Sequence, residues 1–111
     1  MAYDEDLANR VREELATEEP RTEKAMFGGL AFLIAGNMAV GVTRDGLMVR
    51  VGPQAGEAAA HEPHASTMSM GERQMKGWII VAPEGVETDD QLGDWVGRGV
   101  AFARSLPPKG A

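Results

Sequence analysis

The 111-residue chain contains no cysteine. That excludes a disulfide scaffold, thiol catalysis and cysteine-ligated zinc, and it suits a reducing cytoplasm, where we expect the protein to reside. A basic excess is also missing: 11 Lys and Arg stand against 17 Asp and Glu, giving a net charge of −6. Proteins that bind nucleic acid by displacing counterions from phosphates ordinarily carry a basic face. The acidic total therefore disfavours direct nucleic-acid binding, and it equally disfavours an anionic membrane surface. The opening residues, MAYDEDLANRVREE, are acidic and amphipathic, whereas a signal peptide needs a basic start and an apolar core. There is no solenoid repeat, low-complexity tract or dividing linker, so a single domain over residues 1–111 is expected. A chain of this size buries roughly two-thirds of its unfolded surface, enough for a core without metal or disulfides.

Catalytic patterns are missing as well. The serines are Ser66, Ser69 and Ser105, and none stands in a G-x-S-x-G elbow. The glycines form neither a phosphate-binding loop nor a dinucleotide fingerprint. His61 and His64 have the H-x-x-H spacing that can place two imidazoles near one metal on a helix, with Glu57 and Glu62 as further donors. Pro63 falls between them and no cysteine adds a ligand, so they read as solvated loop residues. The acidic pairs Asp89-Asp90 and Glu18-Glu19 read as helix-terminal and surface charge. No catalytic residue, metal site or cofactor is expected.

What the chain does have is an apolar stretch, AMFGGLAFLIAGNMAVGV, from Ala25 to Val42. It is about as long as a membrane span, yet Gly28, Gly29, Gly36 and Gly41 would each weaken a helix. Gly36-Asn37 is a two-residue turn signal, so the stretch reads as a β-hairpin. Leu30, Phe32 and Ile34 point to one face, which Met38, Val40 and Val42 continue across the turn. The other face is small but still apolar: Ala31, Leu33, Ala35, Ala39 and Gly41. Both faces are expected to be covered. Gly28-Gly29 marks a bend or bulge before the strand. Asp45-Gly46 signals a second hairpin leading into a strand over Leu47–Val51, which Gly52-Pro53 ends.

Ala55 to His61 has room for about two helical turns. A short strand is expected to end near Met70, with a turn over Gly71 to Gln74 and a strand over Met75–Ala82, apolar on both faces and so central in its sheet. Helices close both ends. Leu7, Ala8, Val11 and Leu15 make one apolar stripe between Asp4 and Glu18. Thr88 and Gln91 have capping-box spacing ahead of the stripe Leu92, Trp95, Val96, Val100, Ala103 and Leu106. The expected architecture is α+β: an antiparallel sheet of about five strands with the terminal helices packed on it, in the order α-β-β-β-(short α)-β-β-α.

Two kinds of binding surface follow. Arg50 flanks the third expected strand, and Arg73 and Lys76 flank the fifth; with those strands close in the sheet, they would form a site for a phosphate, a carboxylate or a small anionic ligand. Separately, helices at the chain ends naturally cover one sheet face, leaving apolar hairpin residues such as Leu30, Phe32, Ala39 and Val40 for an interface. A homodimer is expected, with a further protein partner as the other occupant.

MFGGLAFLIAGNMAVGV, GLMVRVGP, MGERQMKGWIIV and LGDWVGRGVAFARSLPP together resemble the TfoX N-terminal domain family, from about residue 7 to residue 108. The resemblance implies an α+β fold and a bacterial regulatory or protein-interaction module of the kind found at the N-terminus of competence regulators, here as a stand-alone domain. It implies no catalytic residues.

Two measurements test these readings. Anisotropy titration with generic duplex DNA at physiological salt should give a Kd no tighter than about 10⁻⁴ to 10⁻⁶ M, the non-specific range; tight, sequence-selective binding would contradict it. Zinc or a chelator should leave the Tm unchanged. A shift on chelation that vanishes with His61→Ala plus His64→Ala would instead establish a metal site.

Overall fold

The computed structural model describes residues 3–26, 28–70 and 72–109. It contains α1 (Glu5–Glu14), β1 (Arg21–Met26), β2 (Gly29–Ile34), β3 (Asn37–Thr43), β4 (Gly46–Arg50), α2 (Pro53–Ala60), β5 (Ala65–Met70), β6 (Arg73–Val81), a 3-10 turn at Pro83–Gly85 and α3 (Asp89–Ser105). All strand pairs are antiparallel, in the order β1-β2-β3-β4-β6-β5. The α+β class and the order of the remaining elements are as expected, but the sheet has six strands rather than five.

The additional strand is β1, with the sequence RTEKAM. Its residues are almost all exposed, so no apolar alternation marks it. Its pairing to β2 uses backbone groups, and its charges suit an edge strand that must not recruit another chain. The inner position expected for the Trp78 strand is correct: β6 lies between β4 and β5.

The helix ends follow their local chemistry. Asp4 caps α1 by accepting from the backbone N–H groups of Asp6 and Leu7 at 2.9 and 3.2 Å. At α3 the capping box is complete, with the Gln91 N–H donating to Thr88 Oγ1 and the Thr88 N–H donating back to the Gln91 side chain. The short helix starts two residues earlier than expected, because Pro53 takes a first-turn position where its missing N–H costs nothing.

The central hairpin departs from expectation in one informative way. Its turn is Ala35-Gly36 rather than Gly36-Asn37, with φ of 51° and 83° at the two residues. Asn37 opens β3 instead. It is buried, and its side-chain amide donates to the carbonyls of Pro107 (3.0 Å) and Ala103 (3.5 Å) at the end of α3. A turn moved by one residue would flip every side chain of β3 to the wrong face. An irregularity in the β2–β3 register prevents this: Leu33 pairs with Met38 and Phe32 with Val40, leaving Ala39 as an extra residue. Val40 and Val42 therefore point to the expected face, while Ala39 joins them and Met38 turns to the other side. Gly28, at φ 72°, makes the bend expected before the strand, while Gly29 already pairs with Met26 as the first residue of β2. Gly71 lies outside the described residues, and Arg73 and Gln74 belong to β6 rather than to a turn.

All three helices pack on one sheet face. Leu7, Val11 and Leu15 near α1, Ala59 of α2 and Leu92, Trp95, Val96 and Ala103 of α3 share a core with Phe32, Ile34, Val40, Val42, Leu47, Val49, Ile79 and Val81. The contact between α3 and the bulge is the tightest part. A Cβ at Gly99 would collide with the Ala39 carbonyl and lie 2.8 Å from Val40 Cγ1, while one at Gly97 would meet nothing within 4 Å.

The same substitution on this helix should thus have opposite effects. Gly99→Ala should destabilise the protein by about 1–3 kcal/mol through overpacking. Gly97→Ala should stabilise it by up to about 1 kcal/mol through helix propensity. Urea unfolding of the two variants beside the parent chain checks the sign of each.

Candidate functional site

The face of the sheet turned away from the helices is built from an unbroken cross-strand row. Lys24, Ala31, Gly41, Met48, Ile80 and Ser66 are successive partners from β1 to β5. Beside it lies a second row, Thr22, Leu33 and Met38. Ala31 and Met48 are buried within this surface yet stand apart from the helix-side core. Leu33, Met38 and Ile80 are half-buried. Neither row contains Asp or Glu, although the chain carries 17 of them. The acids instead cluster on the helices, their flanks and the turns.

Of the hairpin residues expected at an interface, Phe32, Ala39 and Val40 are buried in the helix-side core, and Leu30 packs against that core from its margin. The chain's own helices occupy the surface these residues form. The apolar surface left open belongs to their neighbours of opposite parity, Leu33, Met38 and Ile80.

A cleft of about 620 Å³ opens between α2 and the β5–β6 hairpin. Its floor is a backbone contact: a Cβ on Gly56 of α2 would lie 2.8 Å from the Gly77 nitrogen of β6. Around that floor stand Lys76, Trp78, Gln74, Ser66, Thr67, His61 and Glu57. These supply an ammonium, an imidazole, hydroxyls, an amide and one carboxylate, a set suited to hydrogen-bonding a small polar ligand. Arg50 is the cross-strand partner of Trp78, and its guanidinium carbon lies 5.2 Å from the centroid of the Trp78 ring and 5.2 Å from that of Phe102.

The sheet therefore pairs Arg50 with Trp78, two residues along β6 from Lys76, and Trp78 and Lys76 line the cleft together. Arg73 is separated from them, at the hairpin end of β6, and Arg44 lies in the turn at the opposite end of β4. Trp78 is half-buried and joins the cleft to Arg50. Phe102 belongs to the same cluster. Only the pairing of β4 with β6, two strands distant in sequence, places these groups together.

His61 closes α2 and lines the cleft, whereas His64 sits in the turn before β5 at φ 66°. Among the described residues no group of three or more His, Asp or Glu is placed to hold a metal ion. Ser66 is in the cleft, while the Ser105 hydroxyl donates to the Phe102 carbonyl at 2.6 Å on α3.

Several other arginines serve as struts. Arg98 donates to Glu62 at 2.9 Å and to Asp94 at 2.8 Å, and its guanidinium lies 4.2 Å from the Trp95 ring centroid. It thereby ties α3 to the segment after α2. Arg12 reaches from α1 to Glu23 of β1 with two hydrogen bonds, at 2.7 and 2.8 Å. The hydrogen bonds from these arginines hold the carboxyls of Glu62 and Glu23 below their ordinary range. A carboxylate lowered in this way stabilises the fold at neutral pH, and the contribution fades as the pH falls through the ordinary carboxylate range. Both pairs are largely solvent-exposed, so each contribution is small.

No curated protein and no solved structure matches the chain. The family whose description is "TfoX N-terminal domain" does match, over residues 13–103. That span takes in the sheet, α2 and nearly all of α3, and the chain accordingly belongs to the TfoX N-terminal domain family.

Proposed function

We propose that the chain is a competence-regulator-like domain that acts by association rather than by catalysis, and that its first partner is a second copy of itself. Family membership supports the regulatory half of this reading. The observation that supports the second half is the helix-free sheet face, which leaves Leu33, Met38 and Ile80 partly open around the buried Ala31 and Met48 and is free of carboxylates along its rows. An apolar surface spread over several strands is costly to leave in water. Two copies of a chain with net charge −6 repel one another, yet these faces meet without apposing any acid. A twofold axis through the face would set apolar centre against apolar centre, the commonest symmetry of small oligomers. The methionines add adaptable contact area that a regulatory partner could also use. On this reading the protein works in the bacterial cytoplasm, where a chain without cysteine has no thiol to oxidise.

Light scattering coupled to size exclusion at micromolar concentration should give about 24 kDa, twice the 11.9 kDa chain. Leu33→Glu and Ile80→Glu should each yield a monomer with an unchanged circular dichroism spectrum. Val40→Arg should instead unfold the chain, since Val40 is fully buried beneath α3. A monomer at every concentration, or a dimer indifferent to both glutamates, would overturn the proposal.

A further inference from the structure

The arginines of this protein divide sharply by partner. Arg10, Arg12, Arg21, Arg98 and Arg104 each lie within 4.0 Å of a carboxylate oxygen. Among the described residues Arg44, Arg50 and Arg73 do not. Arg44 and Arg73 are exposed side chains at or beside turns, where an unpaired cation is ordinary. Arg50 is different. It is half-buried, it ends an inner strand, and two aromatic rings hold its guanidinium.

The placement of its guanidinium carbon 5.2 Å from the ring centroids of both Trp78 and Phe102 is within cation–π reach and confines the side chain between two elements. It leaves the N–H donors without protein acceptors, because no side-chain hydrogen bond from Arg50 is formed among the described residues. Among the described residues no fully buried side-chain nitrogen lacks a partner, so the donors of Arg50 are not sealed from solvent. A guanidinium confined in this way, with donors accessible, is matched to a carboxylate or phosphoryl group that accepts two parallel hydrogen bonds. In a chain with six more negative than positive charges, a prepared cation left without an internal carboxylate stands against the overall trend.

The neighbouring groups extend the match. Trp78 also walls the cleft under α2, where Lys76 offers a second cation and Ser66, Thr67 and Gln74 offer hydrogen bonds, with Glu57 of α2 the one carboxylate on its wall. At about 620 Å³ the cleft has the size of a site for a small organic molecule. We propose that Arg50, Trp78 and Lys76 form the anchor of a binding site for a small organic anion, with its carboxylate or phosphate on Arg50 and Lys76 and its body against Trp78 in the cleft. Carboxylate and phosphate share this chemistry, and the choice of probe separates them. The site adjoins the surface proposed above for self-association, since Ser66 lines the cleft and pairs with Ile80, but its anchoring groups are different residues.

The test is an NMR titration of the whole chain, following the backbone amides together with the Arg50 Nε–H and Trp78 indole N–H signals. Inorganic phosphate, phenyl phosphate and benzoate are the probes, with sodium chloride at matched ionic strength as the control. At least one probe should produce saturable shifts centred on Arg50, Lys76 and Trp78. Arg50→Gln should weaken that binding at least about tenfold, the loss of a charge-assisted pair of hydrogen bonds. Arg50→Lys should restore only part of it, because an ammonium offers no planar fork. Arg73→Gln should leave it unchanged. The spectra of the variants report their folding in the same experiment, and Lys76→Gln serves as a second variant if Arg50→Gln perturbs the fold. Preference for phenyl phosphate over benzoate identifies phosphate as the head group, and the reverse identifies carboxylate. The proposal is overturned if no probe exceeds the salt control, if shifts spread equally over Arg44 and Arg73, or if binding survives both Arg50→Gln and Lys76→Gln.

Discussion

The fold depends on one residue's worth of register in its central hairpin. Asn37 is drawn out of the turn because its amide donates to the Pro107 carbonyl, just beyond α3, and to the Ala103 carbonyl, which also accepts from the Leu106 N–H. The turn then falls on Ala35-Gly36, with Ala35 in a left-handed conformation that a side chain disfavours. The extra residue at Ala39 returns β3 to its proper parity. Val40 and Val42 can then oppose Phe32 and Leu30, and every later strand inherits the correct face through the ladder.

That correction also decides where α3 lies. The bulge presents the Ala39 carbonyl toward the helix, and Gly99 is the point at which the helix can approach it. At its end, the Lys109 N–H donates to the Ala35 carbonyl at 2.9 Å, so the residues after α3 fasten the turn whose position Asn37 has set. Hairpin, bulge and helix end are therefore one unit. A packed core of this kind tolerates little change in volume, and glycines stand at its close approaches: Gly99 against the Ala39 carbonyl and Gly36 against Lys109.

Charge is distributed with the same asymmetry as the layers. The helix side carries most of the carboxylates, and arginine struts link α1 to β1 and α3 to the segment after α2. The opposite sheet face has none in its cross-strand rows, so it combines apolar surface with freedom from the chain's net repulsion. Between these two regions, at the end of β4, Arg50 lies on aromatic rings rather than on an acid. The two proposed surfaces differ in kind for this reason: one offers area, the other a directed charge.

Amphipathic spacing and cap chemistry are local properties, and they determined much by themselves. Asp4 and Thr88 start their helices where sequence places them, and the apolar runs over Leu30–Val42, Leu47–Val49 and Ile79–Val81 identify buried strands. Strand β1 was not legible, because an exposed edge held by backbone bonds leaves no side-chain pattern. The turn position and the parity of Met38 and Ala39 were equally hidden, since they answer to carbonyls 66 and 70 residues away from Asn37. The candidate site was visible only as a list of cations. Tertiary structure separated Arg73 from it, set Arg50 on Trp78 and Phe102, and placed Lys76 in the cleft, because β4 reaches β6 across an intervening helix and strand. It also decided which apolar residues stay open: helices that all pack on one face consume Phe32, Ala39 and Val40 and leave Leu33, Met38 and Ile80 to the other.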